Sequence, residues 1–134
     1  MGTPESVQTL AGVVRESGLV DPGTDVVAMV SGGPDSACMA AALAELLGPH
    51  HVHALHVNYR LREESDADER VVRDLCALLR LDLHVERARP NQLADGNLQA
   101  RARELRNEAA ERLRVRAGAQ WVATGHTRTA TARR

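Results

Sequence analysis

The sequence predicts an α/β domain built on an open parallel sheet with helices on both faces. Three observations predict it. Strand-like and helix-like stretches alternate three times before a final strand. Asp25 to Val30 is a nearly continuous apolar run with β-branched content, the pattern of a strand buried on both faces. That run passes directly into Ser31-Gly32-Gly33-Pro34-Asp35-Ser36 and then into a stretch dense in Ala, Leu and Met. Right-handed crossovers make the doubly covered parallel sheet the default solution for such a series.

The elements follow in order. Val7, Leu10, Val13 and Val14 recur at helical spacing between Pro4 and Leu19, and Asp21-Pro22-Gly23 breaks the pattern. After the first strand, a helix is expected from Asp35 to Leu47, stopped by Gly48-Pro49. His51 to Val57 reads as a second strand. Ser65 and Asp68 make an acidic version of a capping box, opening a helix whose buried face is expected to be Val71, Val72, Leu75, Cys76, Leu78 and Leu79. Leu81 to Glu86 is the third strand. Beyond a loop through Pro90 and Gly96, Leu98, Ala102, Leu105, Ala109 and Leu113 mark the longest helix, which Gly118 closes. Trp121 to Thr124 is the fourth strand. Gly125 to Arg134 carries no apolar periodicity, so residues 1–127 are expected to form the domain and 128–134 a divergent, disordered tail.

Composition bounds the chemistry. With 134 residues, 43% hydrophobic and 26% charged, the chain can bury one core without disulfides or a metal staple. The net charge of −1 provides no global attraction to nucleic acid or a membrane surface. All 17 basic residues are Arg. The absence of Lys excludes, within this chain, a Walker-type phosphate loop and Schiff-base chemistry. Cys38 and Cys76 lie far apart in helical patterns, which points to a reducing compartment and against a disulfide framework. No apolar run has signal-peptide length or approaches the ~18 residues of a membrane span, so a cytoplasmic location is expected.

The Ser31–Ser36 stretch carries the chemistry. Gly32 and Gly33 permit tight or positive-φ backbone and close approach to an anion. Their N–H groups, with those of the first helical turn, form a nest at the positive end of the helix dipole. Ser31 and Ser36 add hydroxyl donors, and Pro34 sets φ at the helix start. Asp35 is the odd member: a carboxylate beside a phosphate is repulsive unless a divalent cation lies between them, which makes it a Mg²⁺ ligand candidate. The competing reading is that Asp35 only caps the helix and the glycines only make a turn.

Ser-Gly-Gly-x-Asp-Ser after a strand resembles the loop of the N-type ATP pyrophosphatases, which cleave ATP between the α and β phosphates and adenylate a substrate oxygen. Three further stretches resemble the N-terminal domain of the bacterial tRNA(Ile)-lysidine synthases. They are His56-Val57-Asn58-Tyr59-Arg60-Leu61-Arg62, where that family has His-Val-(Asp/Asn)-His-Gly-Leu-Arg; Ala102, Arg103 and Arg106, matching its Ala-Arg-x-x-Arg motif; and Thr124-Gly125-His126-Thr127. The resemblance covers roughly residues 24–127. It implies an adenine nucleotide alpha hydrolase-like, Rossmann-like fold lacking the last strand, with ATP and Mg²⁺ as cofactors and tRNA(Ile) and L-lysine as substrates. ATP would activate the C2 oxygen of the wobble cytidine, and the amine of lysine would displace AMP. By the same resemblance Asp35, Arg103 and His126 are the catalytic candidates, Ser31, Gly32, Gly33, Pro34, Asp35, Ser36 and Arg103 would bind the nucleotide, and Asp35 would hold the metal.

The other charged clusters read differently. Six arginines fall between Arg101 and Arg116 on two flanks of the apolar stripe. The distal ones are expected in salt bridges with Glu104, Glu108 and Glu111 on a solvated face. His53 and His56 are expected to be structural, since no Cys or carboxylate joins them at metal-ligand spacing. The family continues after its His with His-x-x-Asp-Gln-x-Glu-Thr, whereas Ala130 and Arg133 stand here where acids would fall, and Asn107 stands where the family has Tyr. The expectation is ATP or pyrophosphate binding without lysidine formation by this chain alone. Two alternatives stay open: another ATP pyrophosphatase of the same group, such as a tRNA thiolase or amide ligase, and a non-catalytic ATP-binding fragment.

Overall fold

A computed structural model describes residues 24–60, 64–89, 97–125 and 130–133. The helix expected over Pro4–Leu19 and the candidate His126 lie outside the described residues. The elements are β1 (Val26–Met29), α1 (Pro34–Leu47), a 3₁₀ turn (Pro49–His51), β2 (Val52–Asn58), α2 (Glu64–Leu79), β3 (Asp82–Arg87), α3 (Leu98–Ala117), β4 (Trp121–Gly125) and β5 (Ala130–Arg133).

The sheet order is β3-β2-β1-β4-β5. The first four strands are parallel, with Met29 level with Leu55 on one side and Thr124 on the other. Every residue of β1 is buried, and successive side chains enter opposite layers, as a strand covered on both faces requires. Val26, Ala28 and Val30 join Met39, Leu43, Val72 and Cys76 in the layer under α1 and α2. Val27 and Met29 join Leu105, Ala109 and Leu113 under α3. The helices therefore do cover both faces.

Two expectations need correction. The stretch expected to be a disordered tail contains β5, which pairs antiparallel with β4 from Gly125↔Ala130 to Val122↔Arg133. The sheet therefore does not stop at four strands. Pairing satisfies the backbone groups of the β4 edge without needing apolar side chains, which is why hydrophobic periodicity does not reveal it. The buried face of α2 is also narrower than expected. Val72 and Cys76 are buried, while Val71 and Leu78 are 52% and 79% exposed, because a 100° step per residue turns them off the seam.

Helix ends follow the sequence closely. Asn97 caps α3, its side chain accepting from Gln99 N at 3.0 Å and Ala100 N at 3.3 Å. Gly118 ends that helix in the left-handed conformation, φ 68°. The helix α2, by contrast, already begins at Glu64, so Ser65 lies in its first turn rather than at the cap.

A polar knot fastens α2 to the C-terminal ends of β2 and β3. Glu69 is 9% exposed and receives Arg87 Nη2 at 2.7 Å, Arg87 Nε at 3.1 Å, Arg73 Nε at 3.3 Å and Asn58 Nδ2 at 3.1 Å. Asn58 is 1% exposed, and its second Nδ2 bond goes to Asp66 Oδ1 at 3.0 Å. Its Oδ1 accepts from Arg60 N at 2.9 Å, and Arg60 takes the left-handed φ of 56°. Arg60 stands where the resembled family has Gly, so here a side-chain hydrogen bond holds a conformation that glycine adopts without strain.

Two outcomes follow. Arg60→Gly relieves the left-handed strain and should raise stability by about 0.5–1 kcal/mol in urea unfolding, after allowing for the entropy of an unfolded glycine. The Arg87 guanidinium, the largest influence, and the other donors hold the Glu69 carboxyl down at about 2. Its folded value lies below its unfolded one, so its contribution is complete above pH ~4.5 and is lost as pH falls toward 2. Glu69→Gln should flatten the acid limb of the stability curve by about 1–2 kcal/mol, allowing for screening of the half-exposed arginines.

Candidate functional site

Winding reverses between β1 and β4. From β1 the chain passes to β2 and β3 on one side, then crosses back to β4 on the other. In an open parallel sheet this leaves a crevice at the carboxyl end of the strands where the order reverses. Ser31 to Gly33 leaves β1 at that end and runs into α1.

The loop's own bonds set its shape. Ser36 is 4% exposed, and its hydroxyl accepts from Ser31 N at 3.0 Å and lies 3.0 Å from Ser31 Oγ. It also donates to Gly33 O at 3.3 Å, while Gly33 N donates to Ser31 Oγ at 3.3 Å. The two serines thus tie the ends of the turn together across the glycines. Gly32 has φ 99°, and a Cβ built there would lie 3.2 Å from Asp68 Cβ. Asp68, expected in a capping box, instead packs α2 against the glycine loop.

Gly33 is the N-cap of α1, no side chain caps the helix, and Pro34 opens it. The first-turn N–H groups are therefore left for a ligand. The reading of Asp35 as a helix cap fails on the same observation: Asp35 stands in the first turn, past the cap. The described residues contain no group of three or more His, Cys, Asp or Glu able to hold a metal. A lone, partly exposed carboxylate suits Mg²⁺, which keeps several waters and is usually bound through one or two carboxylates and the substrate's phosphates. Asp35 fits that part.

The arginines of α3 divide. Arg114 pairs with Glu111 at 2.6 Å, Arg112 reaches Glu86 on β3 at 2.7 Å, and Arg116 lies 3.2 Å from His84 Nδ1. These bonds engage the distal arginines, two of them in salt bridges, with Glu86 as a partner the helical spacing could not show. Arg101 pairs with Glu104 at 3.6 Å. Arg103 and Arg106 are exposed and form no salt bridge among the described residues. Both lie in the N-terminal half of α3. Arg106 also acts on Tyr59 at the end of β2: burial raises the Tyr59 phenol, and the Arg106 charge partly opposes this.

The histidines separate by position. His51 Nδ1 and His53 Nε2 lie 3.1 and 3.4 Å from Asp25 Oδ1, at the opposite end of the sheet from the loop. His56 is 4% exposed, and its Nδ1 bonds to Val30 O at 2.7 Å. Burial raises the Cys76 thiol, which makes it a poor nucleophile. Spacing alone did not mark Asp68, Tyr59 or Glu69 as neighbours of the crevice. Only the proximity of Asn58-Tyr59 to the end of a strand hinted at it.

Gly32→Ala combines left-handed strain with a contact to Asp68 Cβ. It should destabilise the fold by about 1–2 kcal/mol in urea unfolding and remove pyrophosphate affinity measured by calorimetry.

Comparison with known proteins fits this geometry. A family model for the PP-loop domain matches residues 5–132. A tRNA(Ile)-lysidine synthase of Symbiobacterium thermophilum is 40% identical over 121 residues, which is 87% of this chain and 25% of that protein. One from Chlorobaculum tepidum is 37% identical over 114 residues, 81% of this chain and 34% of that protein. The chain thus spans a quarter to a third of the length of these relatives. Among solved structures, a U34-tRNA thiolase of Methanococcus maripaludis superposes with TM-score 0.74 at 16% identity, covering 90% of this chain and 46% of that one. An NH3-dependent NAD synthetase of Campylobacter jejuni gives 0.67 at 19% identity, covering 91% and 56%. These two share the fold. With its glycine loop at the switch point of a parallel sheet and the family match running over nearly its whole length, the chain belongs to the PP-loop domain family.

Proposed function

We propose that this chain is the ATP-activating domain of a tRNA(Ile)-lysidine synthase. The observation that carries the reading is the Ser31–Ser36 loop, tied by its two serines and uncapped at the helix start, at the carboxyl end of β1. The lysidine synthase relatives at 37–40% identity support the substrate assignment over the other ligases of the family.

In this reading the Gly32 amide and the first turn of α1 receive the β and γ phosphates, and Gly33 N and the Ser31 and Ser36 hydroxyls exchange their bonds within the loop for bonds to phosphate oxygens. Asp35 would hold Mg²⁺, which supplies charge neutralisation on the phosphates. The C2 oxygen of the wobble cytidine attacks the α phosphorus, the α–β bridging bond breaks, and pyrophosphate leaves. The amine of lysine then attacks C2 of the adenylated base and expels AMP, losing a proton to solvent. Arg103 is assigned to the nucleotide, where an exposed guanidinium can pair with phosphate oxygens. His126, assigned by its sequence position after β4, is the proposed acid–base group. The chemistry is placed in the cytoplasm, where tRNA is found.

A second reading, nucleotide binding without turnover, is favoured by Ala130 and Arg133, which stand where the family's carboxylates fall. Thermal melts test the nucleotide site that both readings share, and an AMP-release assay tests turnover by this chain alone. ATP or pyrophosphate with Mg²⁺ should raise the melting temperature, because binding adds RT ln(1 + [L]/Kd) to the unfolding free energy, about 2.7 kcal/mol at a hundredfold excess over Kd. Arg103→Ala should weaken ATP binding more than pyrophosphate binding. AMP release with lysine and a cognate tRNA transcript should be absent for the chain alone. No melting shift with either anion would remove the ATP assignment, and clear AMP release would remove the binding-only reading.

A further inference from the structure

A single peptide unit joins the sheet to the glycine loop, and two side chains hold it from opposite sides. Val30 N extends the β1–β2 ladder to Leu55 O at 2.8 Å. The Val30 carbonyl is taken by His56 Nδ1 at 2.7 Å, and the next N–H, that of Ser31, donates to Ser36 Oγ at 3.0 Å. The Val30–Ser31 peptide is therefore held at its oxygen from β2 and at its hydrogen from α1. With both ends held, it resists flipping, and the direction of every amide in the following turn depends on it.

His56 is an unusual choice for this place if packing were its only task. It is 4% exposed, and its Nε2 is buried without a hydrogen-bond partner among the described residues. Leaving a buried donor or acceptor unpaired is destabilising. Val52 and Ala54, on the same face of β2, show that aliphatic residues fill this layer. What the imidazole adds is the bond to Val30 O. Because a carbonyl can only accept, Nδ1 must carry the hydrogen.

We propose that His56 is a positioning residue of the glycine loop, fixing the Val30–Ser31 peptide through its Nδ1–H so that the loop amides are aimed before any ligand arrives. Preorganisation of this kind strengthens binding by removing an ordering cost. The ligand side of the proposal rests on the reading of the loop as a phosphate site, but the clamp itself can be observed without ligand.

Three variants separate the roles. His56→Asn places an amide N–H near the Nδ1 position, His56→Gln places one near the Nε2 position, and His56→Leu fills the space without a donor. Pyrophosphate with Mg²⁺ is titrated into each folded 134-residue chain by calorimetry, and nitrogen-15 NMR reads the His56 tautomer and the exchange rate of the Ser31 amide. The Asn variant should bind within about threefold of the parent, and the Gln and Leu variants at least about tenfold more weakly with faster Ser31 exchange. The parent should show hydrogen on Nδ1 and none on Nε2. Gln and Leu variants that are folded and bind like the parent, or hydrogen on Nε2 alone, would overturn the proposal. If the parent binds no pyrophosphate yet shows the Nδ1 hydrogen and Ser31 protection kept by Asn and lost by Gln, the phosphate reading fails while the clamp stands.

Discussion

The position of β1 between two parallel partners governs the rest of the structure. Its neighbours β2 and β4 belong to halves of the chain wound in opposite directions, so the end of β1 opens where the two halves part. A loop leaving β1 there has sheet on both sides and a helix start ahead of it. Val26 and Val27 are fully buried, which makes the strand a rigid support for the turn it carries. The turn is held by short-range bonds between serines and by the His56 bond to Val30 O, and Asp68 packs against Gly32. His56 and Asp68 come from β2 and α2, not from the loop itself.

The same crevice edge is stiffened on one side and left open on the other. The buried Glu69 carboxylate gathers Asn58 and the half-exposed Arg73 and Arg87 into a knot that fixes α2 against β2 and β3. Asp68, one residue earlier in that helix, is thereby set against Gly32. The knot is thus linked to the loop through two adjacent residues of one helix. On the opposite face, the distal arginines of α3 are engaged with Glu86 and Glu111, while Arg103 and Arg106 are exposed without a salt bridge among the described residues.

Much of this was legible in the sequence because it rests on local rules. The valine run of β1, the Gly-Pro stop after α1, the Gly118 end of α3, and the glycine loop all act over a few residues. The parts that were not legible depend on contacts between distant segments. Nothing near Asp68 announces that it meets Gly32, and helical spacing around Arg112 suggests partners on its own helix, where the structure finds Glu86 on β3. His56 reads as a structural histidine from its strand, and so it is; what it holds becomes visible only when β1 and β2 are placed side by side. β5 escaped detection because edge pairing uses backbone groups and leaves no hydrophobic pattern. Leu78 shows the reverse error, an apolar residue that periodic spacing draws inward and that the fold leaves in solvent.

The central claim is that the turn after β1 receives the phosphates of a nucleotide through its main-chain amides. Mapping backbone amide shifts by NMR while ATP and Mg²⁺ are added tests this most directly. The account predicts the largest, saturable changes at Gly32, Gly33, Asp35, Ser36 and Ala37, with the Asp25, His51 and His53 end of the sheet unmoved. Changes centred on that opposite end, or no saturable change in the turn, would contradict it.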